Sequence, residues 1–567
     1  MTVLGTESIL PAANRADGST SGEHDDELTS ARSGRWGPTT IRLGSHGLVW
    51  ATVLVPTLIQ LSNGWRTVRD DAMISIGSYR VFSAQSPLVG VWSLASAGMR
   101  HAFFDLGPLP FWLLAVPTHL DPGQGALWGA ALVAGGVLSI GVEAAWSVRG
   151  WPAALAVALV VADTGWQTQL FTDVVWNPHF GLVFMIGAGA TAWAVASGRF
   201  GWWPLAVVFA SVAAQSHLIY AIPAVALAVI GPLAGLAYGY RPRRWRWIVV
   251  GLVAGAACWV APLAQEVFGH PGNLSLVLNS GAGHSRVGWA FGLHGLATAV
   301  APRPIWLTQY PYRAAFNGMP HYLNGHPSIW AAVSLCLLTA IAVAAWLAKR
   351  RPLSALALIG TVMATATVAT LASLPRDNLT VLGYLGNYLW VVGTLIWIIV
   401  AWAVGAVAAG GLHRWHRDRR SVGDLVLLRR GFEIAGLSLL ALMAFESIQT
   451  VVPAAHDRVS AVHLDTPLDS AIVRSVERSV PPGPVVVEVR PAAFGPGYGF
   501  YTVDYWGVAW KLLVDGWRPG LQSGFFGVAT NLSVPPGARW PKVIVHIDPS
   551  TKSVTRVQRI VPAGRGV

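Results

Sequence analysis

Long apolar runs, most of them without charge and close to the length of a membrane-crossing helix, constrain this chain more than any other feature. They lie near Leu48–Leu61, Ala126–Val142, Ala153–Leu170, Phe180–Ala196, Leu218–Ala237, Trp247–Ala264, Ile329–Leu347, Leu353–Leu374, Tyr388–Ala409 and Phe432–Val452. A shorter run, Pro204–Ala214, precedes a tight Gln-Ser-His turn. About 20 apolar residues are needed to carry a helix across a bilayer. With 53% hydrophobic and only 12% charged residues and a mean hydropathy of +0.50, one soluble core cannot hold this apolar content. The expected fold class is an α-helical polytopic membrane protein.

The formal charge of +12 would suggest nucleic acid in a soluble chain. Here the Lys and Arg gather in short loops between apolar runs, at Arg149, Arg199, from Arg241 to Trp247, at Lys349 and from His413 to Arg420. That is the pattern of cytoplasmic loops, so nucleic acid is rejected as a partner. With these loops inside, about eleven spans fit, the N-terminus cytoplasmic and the C-terminus extracytoplasmic. Phe103–Pro117, with three prolines, is then a re-entrant or interfacial segment. Cys258 and Cys336 both fall in apolar runs and read as buried hydrophobes rather than a disulfide.

Three regions follow. Residues 1–42, polar and rich in Ser, Gly, Asp and Glu, read as disordered and cytoplasmic. Residues 43–452 form the multi-span part, with long outer loops 63–101 and 267–328. Residues 453–567 form a small extracytoplasmic α/β domain: an amphipathic helix at Ser470–Val480, a strand at Pro484–Val489, a helix around Tyr505–Gly516 and a strand at Lys542–Ile547. The chain has no GxxxxGK[ST], Cys/His metal spacing or GxSxG. The glycines of Gly495–Tyr501 are interrupted by Pro496 and lack the helix a dinucleotide site requires.

Asp70 and Asp71 stand just past the first apolar run. Adjacent helical residues point about 100° apart, so the two suit separate roles. One can accept a proton from a hydroxyl while the other orients it or holds a divalent cation, Mg or Mn. The same pair also suits a helix N-terminus, where carboxylates favour the dipole.

One span, an outer acidic pair, a proline-rich apolar segment, many spans and a soluble tail together resemble the GT-C superfamily of membrane glycosyltransferases. The matching stretches are Arg69–Arg80 (RDDAMISIGSYR), Phe171–Gly181 (FTDVVWNPHFG) and Ala213–Tyr220 (AAQSHLIY). Arabinofuranosyltransferases of actinobacterial cell walls and the related mannosyl and aminoarabinose transferases are the nearest comparisons.

The resemblance implies transfer of a sugar from a polyprenyl-phosphate carrier to a cell-envelope glycan or glycolipid acceptor outside the cytoplasm, at the plasma membrane. It places the catalytic carboxylate at Asp70 and Asp71, with Asp70 as base in a single inverting displacement and Asp71 orienting or holding metal. The chemistry needs cations for the departing phosphate at the same depth. His284, Arg286, Arg303, Arg313 and His321 in the second outer loop, and Arg376 in the next, could supply them. These arginines equally suit lipid headgroups.

Asp173, Asn177, His179 and His217 are further substrate-binding candidates, although a polar turn around interfacial Trp176 accounts for the middle two as well. Gln215 and His217 equally suit a turn whose free backbone groups need partners. Asp163, inside an apolar span, faces a cavity or a hydrogen-bonding partner. Glu143, Glu433 and Glu446 read as interfacial. The rival function classes are a transporter or lipid flippase, which would string charges along a path through the bilayer, and a non-catalytic envelope assembly protein.

Overall fold

The computed structural model describes residues 38–93, 96, 101–242, 244–280, 286–301, 328–374, 376, 385–416, 422–491, 504–521, 532, 534, 538–548, 551 and 553–561. Among these, eight helices are long and apolar enough to cross a membrane.

In chain order the helices begin with α1 (Pro38–Ser62), the short acidic helix α2 (Arg69–Tyr79), α3 (Leu109–Leu120), α4 (Gly125–Arg149), α5 (Trp151–Thr168) and α6 (Asn177–Ala196). Then come α7 (Trp203–Ser216), α8 (Ala221–Ala237), α9 (Arg246–Phe268), α10 (Asn273–Asn279) and α11 (Trp289–Val300). The last of the membrane part are α12 (Ile329–Leu347), α13 (Arg351–Ala372) and α14 (Leu385–His416). Helix α15 (Val422–Ser479) leads into the tail, which adds β1 (Pro484–Pro491), α16 (Tyr505–Val514), β2 (Arg518–Leu521), β3 (Lys542–Asp548) and β4 (Ser553–Ile560).

Helix α6 is the axis of the bundle: 94% of its most apolar window is buried, against 17% for α9 and 22% for α12 at the periphery. An all-round apolar helix such as α6 suits the core, and the outer pair suits lipid. Of the other expected crossings, α5 and α15 are helices of 18 and 58 residues, and α7 is the short one. Helix α7 has 14 residues, about 21 Å of helix, shorter than a hydrocarbon core of about 30 Å.

The chain nevertheless alternates between two ends. At one, Trp202 Nε1 donates to Ser147 Oγ, Trp193 Nε1 donates to the Pro352 carbonyl and Arg351 stacks over Tyr240. This end gathers the basic loops near Arg149, Arg199, Arg241 and Lys349. At the other, the N-terminus of α6 meets the C-terminus of α7 through Asn177 Nδ2, which donates to the Ser216 carbonyl. Glu143 belongs to the basic end, where it pairs with Arg42 and His46.

One loop expectation changes. Within 63–101 the chain forms α2, a full helix with Asp70 and Asp71 in its first turn. Helix α2 lies against α3 at Gly77, where a Cβ would come within 2.7 Å of the Phe111 ring. Helix α3 itself realises the proline-rich segment. Its 12 residues are too few to cross, with Phe111, Leu114 and Ala115 buried and Trp112, Leu113, Val116 and Leu120 exposed.

The helices expected at Phe432–Val452 and Ser470–Val480 are one continuous helix, α15, of 58 residues with Pro453 and Pro467 inside it. It is about 87 Å long, enough to cross a bilayer and continue well beyond it. The apolar face expected on the tail segment is present, with Ile472, Val473, Val476 and Val480 buried. The tail sheet has the order β2-β1-β3-β4. Strand β1 pairs in parallel with β2 and β3, and β4 closes one edge antiparallel to β3. The cysteines are free, Cys258 half-buried and Cys336 exposed rather than buried.

Candidate active site

The acidic helix α2 brings its carboxylates to the end of the bundle away from the basic loops. Asp70 Oδ2 accepts a hydrogen bond from Trp176 Nε1 at 2.8 Å. Trp176 precedes α6, and its ring packs edge-on against His179 with centroids 4.9 Å apart. His179 Nε2 lies 2.7 Å from Asn387 Nδ2 at the start of α14. Sequence-distant segments thus converge on Asp70 through neutral groups.

Asp71 is buried, and its Oδ2 lies 3.2 Å from Arg458 Nη2. The same nitrogen reaches Asp173 Oδ1 at 2.8 Å. Arg458 belongs to α15, in the stretch the sequence assigned to a tail domain. Asp71 Oδ1 is buried without a hydrogen-bond partner among the described residues. An unmatched buried acceptor is costly and needs a reason to persist.

The electrostatics follow from counting charges. Burial is the largest influence on Asp71 and pushes its carboxyl up to about 8, against the pull of Arg458. Burial, and next the charge of Asp173, also raise Asp70 above the ordinary carboxylate range, with the Trp176 hydrogen bond and Arg458 opposing. Asp71 and Asp173 share the Arg458 guanidinium, and Asp70 feels the charges of Arg458 and Arg69. Such a site is poised to take up a proton or a further cationic group.

Beside it lies a second acidic centre that the sequence reading passed over. Asp105 is buried; its Oδ2 accepts from Asn177 Nδ2 at 2.9 Å and its Oδ1 from Leu218 N at 3.1 Å. Its backbone pairs with Gly90 and Val91. Burial holds its carboxyl well above the usual range. Asp105 therefore ties the start of α6 to the turn after α7. That turn contains His217, whose Nδ1 accepts from Ile219 N at 3.3 Å and whose imidazole burial pushes down to about 4, leaving it neutral at pH 7. Gln215 bridges the Leu109 amide and the Cys258 carbonyl, a structural bond between α3 and α9.

Of the residues singled out in the sequence, Asp70, Asp71, Asp173 and His179 come together. Asn177 and His217 are engaged by the Asp105 clamp and the turn beside it. Arg286 and Arg376 are exposed. His284, Arg303, Arg313 and His321 lie outside the described residues, as do the side chains of Glu433 and Glu446. Asp163 Oδ2 accepts from Thr394 Oγ1 at 3.2 Å, a hydrogen-bonded partner within the bundle. Arg458 and Asp105 were missed although each left a trace: an arginine soon after the last apolar run, and a lone acid within a proline-rich apolar segment.

Among the described residues no group of three His, Cys, Asp or Glu side chains is placed to hold a metal ion. Arg458 already lies between Asp71 and Asp173, where a cation shared by them would sit. The donor set does not fit a dedicated divalent site of several oxygen ligands, and the chemistry below is written through the protein's own groups.

No family model matches the chain, and no curated protein matches it. Among solved structures it is similar to ArnT from Cupriavidus metallidurans bound to undecaprenyl phosphate, with 16% identity, 88% of this chain and 93% of that chain covered and a TM-score of 0.46. It is also similar to the oligosaccharyltransferase AglB from Archaeoglobus fulgidus in complex with an inhibitory peptide and a dolichol-phosphate, with 12% identity, 88% and 69% covered and a TM-score of 0.37. Likenesses at this level carry no argument about chemistry. What the chain itself displays is a mostly helical protein with eight candidate membrane spans and a small sheet, bearing an acidic cluster at one end of the bundle.

Proposed function

We propose that this protein is an integral membrane glycosyltransferase that moves a sugar from a polyprenyl-phosphate carrier to a cell-envelope glycan or glycolipid. The observation that carries the reading is the pairing of Asp71 and Asp173 with Arg458 beside the Trp176-bound Asp70, at the end of the bundle opposite the described basic loops. By the positive-inside preference that end faces away from the cytoplasm, where a lipid-borne donor supplies what a nucleotide sugar cannot.

In this reading Asp70 takes the proton of the acceptor hydroxyl as its oxygen attacks the anomeric carbon. The bond from that carbon to the phosphate oxygen breaks on the opposite face, inverting the centre, and the carrier phosphate leaves with the electron pair. Arg458 presents cationic charge for that phosphate. Asp71 and Asp173 hold the guanidinium in place, and Asp71 Oδ1 is the second oxygen able to receive a proton. The neutral Trp176–His179–Asn387 chain fixes the orientation of Asp70.

The test is sugar transfer by the detergent-purified full chain, using synthetic polyprenyl-phosphate donors carrying pentoses and hexoses. Transfer with inverted anomeric configuration from at least one donor is expected. Absence of transfer from every donor, with folded protein and an extract of envelope acceptors present, would overturn the reading.

A further inference from the structure

Asp504 is a buried carboxylate that the proposed reaction does not use, and it reaches the acidic helix from the far end of the chain. Its Oδ2 accepts a hydrogen bond from the backbone N–H of Arg69 at 2.6 Å. Arg69 has φ +53°, in the left-handed region that non-glycine residues seldom occupy. It immediately precedes Asp70 and Asp71. The residue before it, Val68, offers no side-chain cap to α2. A strained backbone persists where its surroundings over-determine it, and such strain gathers at functional sites.

The tail is built to present this carboxylate. Asp504 N donates to Asp469 Oδ1 on α15 at 3.3 Å, and Asp504 O accepts from Val508 N to open α16. Gly507, one turn on, makes room for the carboxylate, since a Cβ at that position would overlap Asp504 Oδ2. At the other end of α2, Tyr79 meets Trp510 edge-on with centroids 5.6 Å apart. Helix α16 thus grips α2 at both ends, with the acidic pair beside the first grip.

We infer that Asp504 is a positioning residue for the acidic pair: by holding the strained Arg69 backbone, the docked tail sets the direction in which Asp70 and Asp71 point. This rests on the glycosyl-transfer reading for its consequence in rate, and on the geometry alone for its consequence in structure. Small misplacements of reacting groups are costly in turnover even when substrates still bind.

The experiment uses the full chain in detergent with three variants, Asp504→Ala, Asp504→Asn and Gly507→Ala. For each it measures kcat and donor KM per folded molecule, and amide hydrogen exchange over residues 69–79. Asp504→Ala should lower kcat by about 10- to 100-fold with donor KM little changed, and should speed exchange in α2. Asp504→Asn keeps an oxygen for the Arg69 N–H and should recover most of the rate.

Gly507→Ala separates positioning from mere stability. The added Cβ meets the Asp504 carboxylate in either case, so a purely structural role for this region predicts lower stability with kcat per folded molecule unchanged. A displaced Asp504 carboxylate predicts the same kcat loss as Asp504→Ala. Unchanged kcat and unchanged α2 exchange in both alanine variants would overturn the inference, as would a rise in KM with kcat intact. If the wild type transfers no sugar, the glycosyl-transfer reading fails, and the exchange data alone decide whether Asp504 holds α2.

Discussion

Two buried aspartates near the same end of the bundle, Asp71 and Asp105, do opposite things with the same functional group. Each oxygen of Asp105 meets a neutral donor, from Asn177 and from the Leu218 backbone. Asp71 faces a cation, lies near two further carboxylates and keeps Oδ1 without a partner among the described residues. A carboxylate whose acceptors are all spent on neutral donors ties segments together. One with a spare oxygen and an unbalanced charge environment can change protonation state during a reaction. Burial alone does not distinguish the two; the accounting of partners does.

The sharpest way to break this contrast is to neutralise the acidic pair. Asp70→Asn should reduce transfer by ~10²–10⁴-fold with folding intact, the range of general-base catalysis. Asp71→Asn should cost less if Asp71 only holds Arg458, and as much if Oδ1 receives the proton. Turnover from a synthetic donor, normalised to folded protein, decides between them. Near-normal rates in both variants would reduce the pair to a helix N-terminus.

The next largest effect concerns pH. A general base works deprotonated, so kcat should fall as pH drops through the raised range of the acidic pair. Arg458 holds both Asp70 and Asp71 down, whereas the charge of Asp173 holds them up. Arg458→Gln should therefore move the acid limb of the kcat profile to higher pH, and Asp173→Asn should move it to lower pH. Shifts of the same sign in both variants would show that these side chains do not control the base.

Asp105 supplies the counter-test. Asp105→Ala leaves the Leu218 N–H without its acceptor and the Asn177 amide with the Ser216 carbonyl alone, a loss of about 1–3 kcal/mol for each donor left unpaired. Thermal unfolding in detergent should register it, while turnover per folded molecule stays near wild type. A collapse of turnover with unchanged stability would place Asp105 in the chemistry and dissolve the contrast. The smallest effect is expected at the exposed Arg286. Arg286→Ala should leave transfer nearly unchanged, measured as donor KM, and a clear rise in KM would restore the role its loop suggested.

The comparison also shows where the sequence was legible. Apolar run length fixes helices such as α6, α12 and α13, because a 3.6-residue repeat and bilayer thickness are local constraints that no distant residue can alter. Among the described residues, the basic loops near Arg149, Arg199, Arg241 and Lys349 lie at one end of the bundle. Asp70 and Asp71 stood out because paired acids beside an apolar run are locally expensive.

Arg458, Asp105 and Asp504 did not stand out in that way. Their partners lie 387, 113 and 435 residues away along the chain, and nothing within a helical turn of any of them announces the meeting. The same holds for α15, where Pro453 and Pro467 read as boundaries but lie within one continuous helix. Local composition therefore determined the elements, their ends and the acidic pair. Which acid is clamped, which is left with an unspent oxygen and which holds the strained Arg69 in place were decided only by tertiary packing, because hydrogen-bond satisfaction belongs to pairs of groups that folding alone brings together.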